Sequence, residues 1–358
     1  MFYKQNNSYT VESVTSGHPD KICDQISDAI LDAYLILDPK SRVAVEVFGG
    51  HGTLVIGGEV TSKGKVDYEK IARQVYKEIG YDDKLEIFGR IVTQSPDIAM
   101  GVDIGGAGDQ GIMYGFATDE NVKFLPRSVV LAHRLAKRLE EARKSTDAGK
   151  RIKWLRPDGK TQVTYVKGKL HTVLVSTQHS SDAKLEEIKK EITEKIIYPL
   201  LSDEEKKTVK ILVNPTGQFI QGGFEADTGL TGRKLMVDTY GGLVPHGGGC
   251  FSGKDATKVD RSGAYMARYA AKNLVAAGYG KEVLVSVAYA IGMAEPLMVE
   301  AINEKGEDLS EIVRKNFDFK PLSIIKTLGL REPIFRQTAT YGHFGKKNLP
   351  WEKIEKMK

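Results

Sequence analysis

The sequence predicts an α/β (α+β) protein assembled from three modules of similar build. Three observations predict it. The chain has 358 residues, more than a single hydrophobic core usually supports. Its apolar positions switch repeatedly between a helical period and a strand period of two. A helix, a β-hairpin and a further helix recur roughly every hundred residues, a domain-sized spacing. The sequence similarity between modules is too weak to establish a repeat. With 41% hydrophobic and 28% charged residues, the composition is that of a soluble globular chain.

The first helix is predicted at the run opened by Ser16-Gly17-His18-Pro19-Asp20-Lys21. Pro19 suits a first helical turn, where its missing N–H costs little. Ile22, Ile26, Ile30 and Tyr34 mark the buried face. Asp20, Asp24, Asp28 and Asp32 repeat at the same interval on another face, and the last three are expected to be solvated surface. Asp20 differs, because it lies with His18 and Lys21 at the helix N-terminus, where orphan N–H groups, a metal ligand and a cation meet. Residues 42–48 and 53–60 alternate as a hairpin around Gly49-Gly50-His51-Gly52. They carry Glu46 and Glu59 inside apolar strands, and taken alone both slightly favour a solvent face. Residues 67–79 form a helix stopped by Gly80, and 85–94 a strand.

Residues 95–111 are too glycine-rich for regular structure and too apolar for a plain linker. They read either as a mobile lid over a site or as an interdomain loop. A strand at 111–118 and a basic helix at 125–144 follow, with His133 in the helix packing. Residues 154–160 read as a turn feeding a strand at 161–166, paired with 170–176; a helix at 184–197 and a strand at 210–214 come next. Residues 235–240 read as a strand, 258–277 as a helix, 282–291 as a strand and 309–316 as a short helix. Beyond Lys320, glycine, proline and charge dominate.

Residues 247–260 concentrate Gly247, Gly248, Gly249, Gly253, Lys254, Asp255, Lys258 and Asp260 ahead of a helix. Glycines let backbone N–H groups approach an anion, lysines neutralise phosphate and aspartates hold Mg²⁺. Residues 248–255 narrowly miss the P-loop pattern: Asp255 stands where a hydroxyl is needed, and no strand runs directly into Gly248. The stretch reads as a polyphosphate site outside the P-loop fold, or as a flexible loop with solvated charges. A second glycine-rich region spans 214–234, in which Arg233 and Lys234 form an anion clamp or a solvated pair.

The net charge of +5 comes from lysines spread along the chain, which suits an anionic small-molecule substrate better than nucleic acid. Cys23 and Cys250 are the only cysteines, too few for a disulfide framework or a zinc site, and free thiols fit the cytosol. The first residues have no apolar signal-peptide core, and the longest mostly apolar run, 283–294, falls short of the roughly 20 residues of a membrane span. A cytoplasmic protein without membrane partners is expected.

Together these motifs resemble the S-adenosylmethionine synthetase family, in its bacterial form, nearly end to end. The resemblance rests on Glu12-Ser13-Val14 with Gly17-His18-Pro19-Asp20-Lys21, Gly106-Ala107-Gly108-Asp109-Gln110-Gly111, Leu155-Arg156-Pro157-Asp158, Asn214-Pro215-Thr216-Gly217, Gly229-Leu230-Thr231-Gly232-Arg233-Lys234, residues 246–260, and Tyr341-Gly342-His343-Phe344-Gly345. It implies synthesis of S-adenosylmethionine from ATP and L-methionine, with release of phosphate and diphosphate. It implies three similar α/β domains in a pseudo-threefold arrangement, along segments 1–101, 106–221 and 222–358, whose structural domains can interleave. It also implies two Mg²⁺ per site, K⁺, and a homotetramer of dimers with active sites at the dimer interface.

Carried over by motif, the resemblance places His18 near the leaving oxygen, Asp20 and Asp260 on Mg²⁺ and Glu46 at K⁺. Lys160, Arg233, Lys234, Lys254 and Lys258 line the polyphosphate path, with Lys258 also facing methionine. Asp158, Gly159, Gln218 and Cys250 belong to the ATP site, where Phe219 stacks on adenine. Glu59, Gln94 and Asp227 recognise methionine, Asp227 touching both substrates, and Asp109 lies near ribose or methionine. With that, the solvent reading of Glu46 and Glu59 gives way, while that of Asp24, Asp28 and Asp32 stands.

The chemistry suits these residues. A thioether sulfur carries no proton, so its attack on the ribose C5′ needs no general base, and the sequence offers no nucleophile–base triad. What the reaction needs is neutralisation of a departing tripolyphosphate. Two departures stand out. Only residues 99–105 separate Gln94-Ser95-Pro96-Asp97-Ile98 from Gly106, a shorter lid than is usual in the family, and Gln218 replaces a common basic residue. The competing enzyme reading is a phosphotransferase using Lys254 in a P-loop; the non-enzyme reading is a nucleic-acid-binding module.

Overall fold

The computed structural model describes Tyr3, residues 7–94 and residues 105–357. The expected lid therefore lies outside the described residues, apart from Gly105. Three sheets carry the fold. The first contains β2 (Arg42–Gly50), β3 (Thr53–Thr61), β4 (Glu86–Val92) and β9 (Gly229–Leu230) in the order β4-β3-β2-β9. The second contains β5 (Gly111–Thr118), β10 (Glu282–Tyr289) and β11 (Met298–Asn303) in the order β11-β10-β5. The third contains β1 (Ser8–Val14), β6 (Leu155–Val166), β7 (Lys169–His179) and β8 (Lys210–Val213) in the order β1-β6-β7-β8. Each sheet takes a strand from a distant part of the chain. The three expected segments are thus laced together: β1 joins central strands, β5 joins C-terminal ones, and β9 joins the N-terminal sheet.

One long helix covers a face of each sheet. Helix α1 (Pro19–Leu37) packs on β2, α3 (Arg127–Lys144) on β6 and β1, and α7 (Val259–Ala276) on β5 and β10. Helix α2 (Tyr68–Ile79) lies beside α1. It starts where the Asp67 side chain accepts from the Lys70 N–H and stops at left-handed Gly80. The core forms two clusters. One runs through α1, α2, α7 and the first two sheets; the other fills the space between α3 and the third sheet. Ile22, Ile26 and Ile30 are fully buried and Tyr34 nearly so, as their spacing predicts.

The structure corrects several expectations. Asp24 and Asp28 are buried, at 1% and 0% exposure, rather than solvated. Asp32 is half-buried and accepts the N–H groups of Phe335 and Arg336 at 3.0 and 2.9 Å. Residues 154–160 are not a turn: β6 begins at Leu155, paired with His179, and the register shifts before Gly159, an irregularity that accommodates Pro157. Residues 235–240 are not a strand but contain the short helix α6 (Leu235–Asp238). A period of two over six residues does not separate the alternatives. The helix expected at 184–197 is α4 (Leu185–Glu191) running into a π-helical turn (Ile192–Ile197). Helix α5 (Asp203–Thr208), strands β1, β9 and β11, and helix α9 (Pro321–Thr327) were not anticipated, whereas α8 (Ser310–Asn316) was.

Candidate active site

The site is organised by the outer edge of β2. On its inner edge β2 pairs with β3; its outer edge receives two chain-distant segments in line. Phe48 and Gly49 pair with Leu230 and Gly229, and the Thr231 N–H donates to the Val47 carbonyl at 3.0 Å. Further along, the Val45 N–H donates to Gly253 at 3.1 Å, and the Asp255 N–H to Val43 at 3.0 Å. The two glycine-rich stretches that the sequence singles out therefore continue one another along a single strand. From Phe48 to Ala44, which bridges to Lys254, is roughly 13 Å at strand spacing. The glycines are needed for closeness. A Cβ on Gly229 would stand 2.2 Å from the Pro19 carbonyl, and one on Gly253, at φ +80°, 1.9 Å from that of Val45.

Beneath this edge lies α1, whose aspartates hold the loops. Leu230 N–H donates to Asp20 Oδ1 at 3.0 Å, Gly232 N–H to Asp24 Oδ1 at 2.8 Å and Gly253 N–H to Asp28 Oδ1 at 2.8 Å. Asp28 also takes a bidentate pair from fully buried Arg261, at 2.7 and 2.8 Å. Lys21, read from the sequence as a cation at the site, is buried against Asp238, with both contacts at 2.7 Å, and 3.0 Å from Asp24. The acidic stripe is thus an internal ladder whose rungs are backbone N–H groups of the site loops.

The first group of candidate residues gathers at the α1 N-terminus. His18 caps the helix, its Nδ1 accepting the Asp20 N–H at 3.2 Å. Burial, then the charge of Lys234, pushes its imidazole down to about 3 against the opposing pull of Asp20, so it is neutral at physiological pH. Lys234 Nζ is 2.6 Å from Asp20 Oδ2, and Arg233 Nε 3.5 Å from Asp20 Oδ1. Burial opposes ionisation of Asp20, but the Lys234 hydrogen bond and the Leu230 N–H outweigh it and hold the carboxyl below its usual range. The turn before His18 docks on β6 through Thr15, whose Oγ1 donates to the Pro157 carbonyl at 2.7 Å and whose N–H donates to Gly159 at 2.9 Å. This brings Asp158, Gly159 and exposed Lys160 to the same end. Asp158 Oδ2 accepts the Gly223 N–H at 2.9 Å, while Oδ1 is buried without a protein partner among the described residues. Burial raises the Asp158 carboxyl to about 6. Gln178 bonds both Asp158 N–H and the Ile220 carbonyl, so Gln218 and half-buried Phe219 hang beside it. Asp227 is exposed four residues beyond Gly223.

The second group lies on the exposed face of the first sheet and at the start of α7. Lys254 Nζ reaches Asp260 Oδ2, and Lys258 Nζ reaches Asp255 Oδ2, both at 2.6 Å. Across the strands, Lys254, Ala44 and Glu59 stand in one row, and Glu46 faces the same way two pairs along. Glu59 Oε1 accepts from buried Gln94 Nε2 at 2.9 Å. Phe48, Val55, Phe88 and Val92 surround these polar groups and are 41–51% exposed. Cys250 meets Gly232, the point where the two groups touch; burial raises its thiol, which stays protonated. Exposed Asp109 precedes β5, two residues before Gly111, where a Cβ would stand 3.8 Å from Asp260 Oδ1. The chain itself does not bring Glu59, Gln94 and Asp109 against His18. The sequence reading missed Asp24, Asp28, Arg261 and Tyr81, whose hydroxyl donates to the Gly17 carbonyl at 2.8 Å. The strict four-residue repeat of aspartates on an otherwise buried helix was the available signal.

Among the described residues, no cluster of three or more His, Cys, Asp or Glu forms a ready-made metal cage. Asp20 and Asp260 are separate single carboxylates, each bonded to a lysine. Such oxygen donors fit a Mg²⁺ whose remaining ligands are substrate phosphates and water, not an all-protein site. Among the described residues no helix is long and apolar enough to cross a membrane.

Comparison with known proteins matches nearly the whole chain to one family. Family models described as the N-terminal, central and C-terminal domains of S-adenosylmethionine synthetase match residues 6–96, 104–219 and 221–353. A protein of Petrotoga mobilis named S-adenosylmethionine synthase is 48% identical over 393 aligned positions, covering 98% of this chain and 97% of its own. One of Staphylococcus epidermidis with the same name is 49% identical over 391 positions, covering 98% and 96%. One of Mesoplasma florum, also so named, is 49% identical over 375 positions, covering 98% of each chain. The alignments are longer than the 358 residues of this chain, so these relatives carry insertions relative to it.

Proposed function

The chain belongs to the S-adenosylmethionine synthetase family, and from that premise we propose that it joins ATP and L-methionine by attack of the methionine sulfur on ribose C5′. The C5′–O bond breaks, its electron pair leaves with the tripolyphosphate, and the sulfur becomes a sulfonium. No proton moves in this step, so no base is required. Hydrolysis of the tripolyphosphate to phosphate and diphosphate follows in the same site.

The observation that carries the reading is that the run leading into Arg233 and Lys234 and the run carrying Lys254 dock on one edge of β2, with Arg233 and Lys234 held at Asp20 beside neutral His18. Each cation is already held by a carboxylate or loop, which limits the reorganisation required when phosphate charge arrives. Lys160 closes the first group, and Lys258 extends the second towards methionine. His18, uncharged, offers its Nε2 to the leaving oxygen. Asp158 and Gly159 border the ATP site with Gln218, Phe219, Asp227 and the backbone at Cys250. Glu59, Gln94, Asp109 and Asp227 take the amino-acid end of methionine. Mg²⁺ at Asp20 and Asp260 would supply further charge neutralisation on the phosphates. Glu46 contributes one carboxylate towards K⁺, with the rest of that site left to other donors.

The exposed apolar face around Phe48, Val55, Phe88 and Val92 supports self-association, in which a second copy covers the face and unites the two groups of residues. A cytoplasmic homotetramer built from such dimers accords with this reading. Incubation of the protein with ATP, methionine, Mg²⁺ and K⁺ tests it. S-Adenosylmethionine, identified by mass, is the expected product; ADP without a sulfonium product would support a phosphotransferase instead.

A further inference from the structure

Behind the α1 N-terminus, between α3 and the C-terminal segment, lies a cavity of about 370 Å³. Lys123, Arg134, Lys137 and Lys346 line it, and Glu140 is the one acidic residue on its wall. Glu140 is already engaged: Oε1 accepts Lys144 Nζ at 2.6 Å and Ser16 Oγ at 2.9 Å, and Oε2 accepts the Tyr341 hydroxyl at 2.6 Å. Among the described residues, Lys123, Arg134 and Lys346 have no carboxylate within 4 Å, and Lys137 has only Glu141, at 3.7 Å in a solvent-exposed pair. Lys346 Nζ points to the carbonyls of Gln337 and Thr340, at 2.5 and 2.7 Å. Burial, then Lys21, pushes its ammonium down to about 7, and Asp238 opposes this only in part. Burial, then Lys137 and Arg134, likewise lowers Lys123. Lys123, Arg134 and Lys137, with Lys346 only part-charged near neutrality, face one space without a free counter-charge; an anion between them relieves their repulsion and favours the charged form of Lys346.

We propose that this cavity is an anion site, distinct from the ATP and methionine site, that takes a small phosphate-type oxyanion between Lys346, Arg134, Lys137 and Lys123. Its wall is bonded to the catalytic turn. Tyr341 accepts the Ser16 N–H at 3.3 Å, Glu140 accepts the Ser16 hydroxyl, and Ser16 lies two residues before His18. An anion that competes with Glu140 for the Tyr341 hydroxyl, or repels the Glu140 carboxylate, is therefore felt at Ser16.

Inorganic phosphate is the probe, titrated calorimetrically into the full-length protein without substrates. Three variants separate the sites: Arg134→Gln/Lys137→Gln, both exposed and tolerant of change; Lys346→Met; and Arg233→Gln/Lys254→Met, which disables the proposed substrate grip. Phosphate binding is expected to persist in the last and to weaken about tenfold or more in the first two, the loss of a charge-assisted contact. In the last variant, phosphate should also alter hydrogen exchange at the Ser16 amide. Wild-type phosphate binding in Arg134→Gln/Lys137→Gln and Lys346→Met, or no phosphate binding by Arg233→Gln/Lys254→Met, overturns the proposal. Neither result depends on turnover.

Discussion

At the residue scale, charge placement dominates. Lys258 is the N-terminal flank of α7, held to Asp255 at 2.6 Å, so its ammonium is fixed before any substrate arrives. Lys258→Met should therefore lower turnover by about 2.7–4 kcal/mol of transition-state stabilisation, or 10²–10³-fold, with little effect on the unfolding midpoint. Steady-state kinetics beside thermal unfolding checks it, and unchanged turnover removes Lys258 from the site. Asp20→Asn keeps the Leu230 hydrogen bond but loses the charge, so half-maximal activity should need more Mg²⁺; an unaltered Mg²⁺ titration removes Asp20 as a ligand. Buried His133 gives a pH prediction. Burial, then Lys346 and Lys21, holds its imidazole near 3, and Nδ1 is 2.8 Å from Ser13 Oγ. The unfolded chain binds this proton below about 6.5, whereas the folded chain does not until about 3. The neutral ring thus contributes stability that is fully present above pH 6.5 and declines towards pH 3. His133→Asn should flatten the slope of unfolding free energy between these limits by about 1.4 kcal/mol per pH unit, measured by denaturant unfolding.

At the element scale, α1 is the post to which the site loops are tied. Its apolar repeat was legible, because Ile22, Ile26, Ile30 and Tyr34 meet the core as their period requires. Its acidic repeat was misread, because a single helix cannot reveal that its second face is covered by loops about two hundred residues away. What makes the burial tolerable is that each of the four carboxylates receives at least one backbone N–H. Asp28 and Arg261 are fully buried together, so removing one leaves an uncompensated charge. Asp28→Ala should cost about 3–5 kcal/mol in denaturant unfolding, and Asp28→Ala/Arg261→Met should recover part of it. With Arg261→Met measured alongside, a double-variant loss equal to the sum of the two single losses would mean that the pair is not energetically coupled.

For the whole molecule, local elements were legible and their lacing was not. The alternating valines of β2 and the glycine turn before β3 announced the hairpin, and its register puts Glu46 and Glu59 on one face. Strands β1 and β9 gave no signal, because β1 finds its partner about 150 residues away in β6 and β9 is only two residues long. The candidate site was readable as separate motifs, since glycine, lysine and aspartate chemistry survives in short runs. That two of the runs dock end to end on the outer edge of β2, the turn carrying Arg233 following one and Lys254 lying on the other, is a property of topology alone. The account built on that edge makes the whole tripolyphosphate the leaving group. It is tested most directly with ATP carrying ¹⁸O at the 5′ bridging oxygen, incubated with methionine. The label should leave entirely with the phosphate products and be absent from the adenosyl product; label retained on the nucleoside 5′ position would contradict cleavage at C5′.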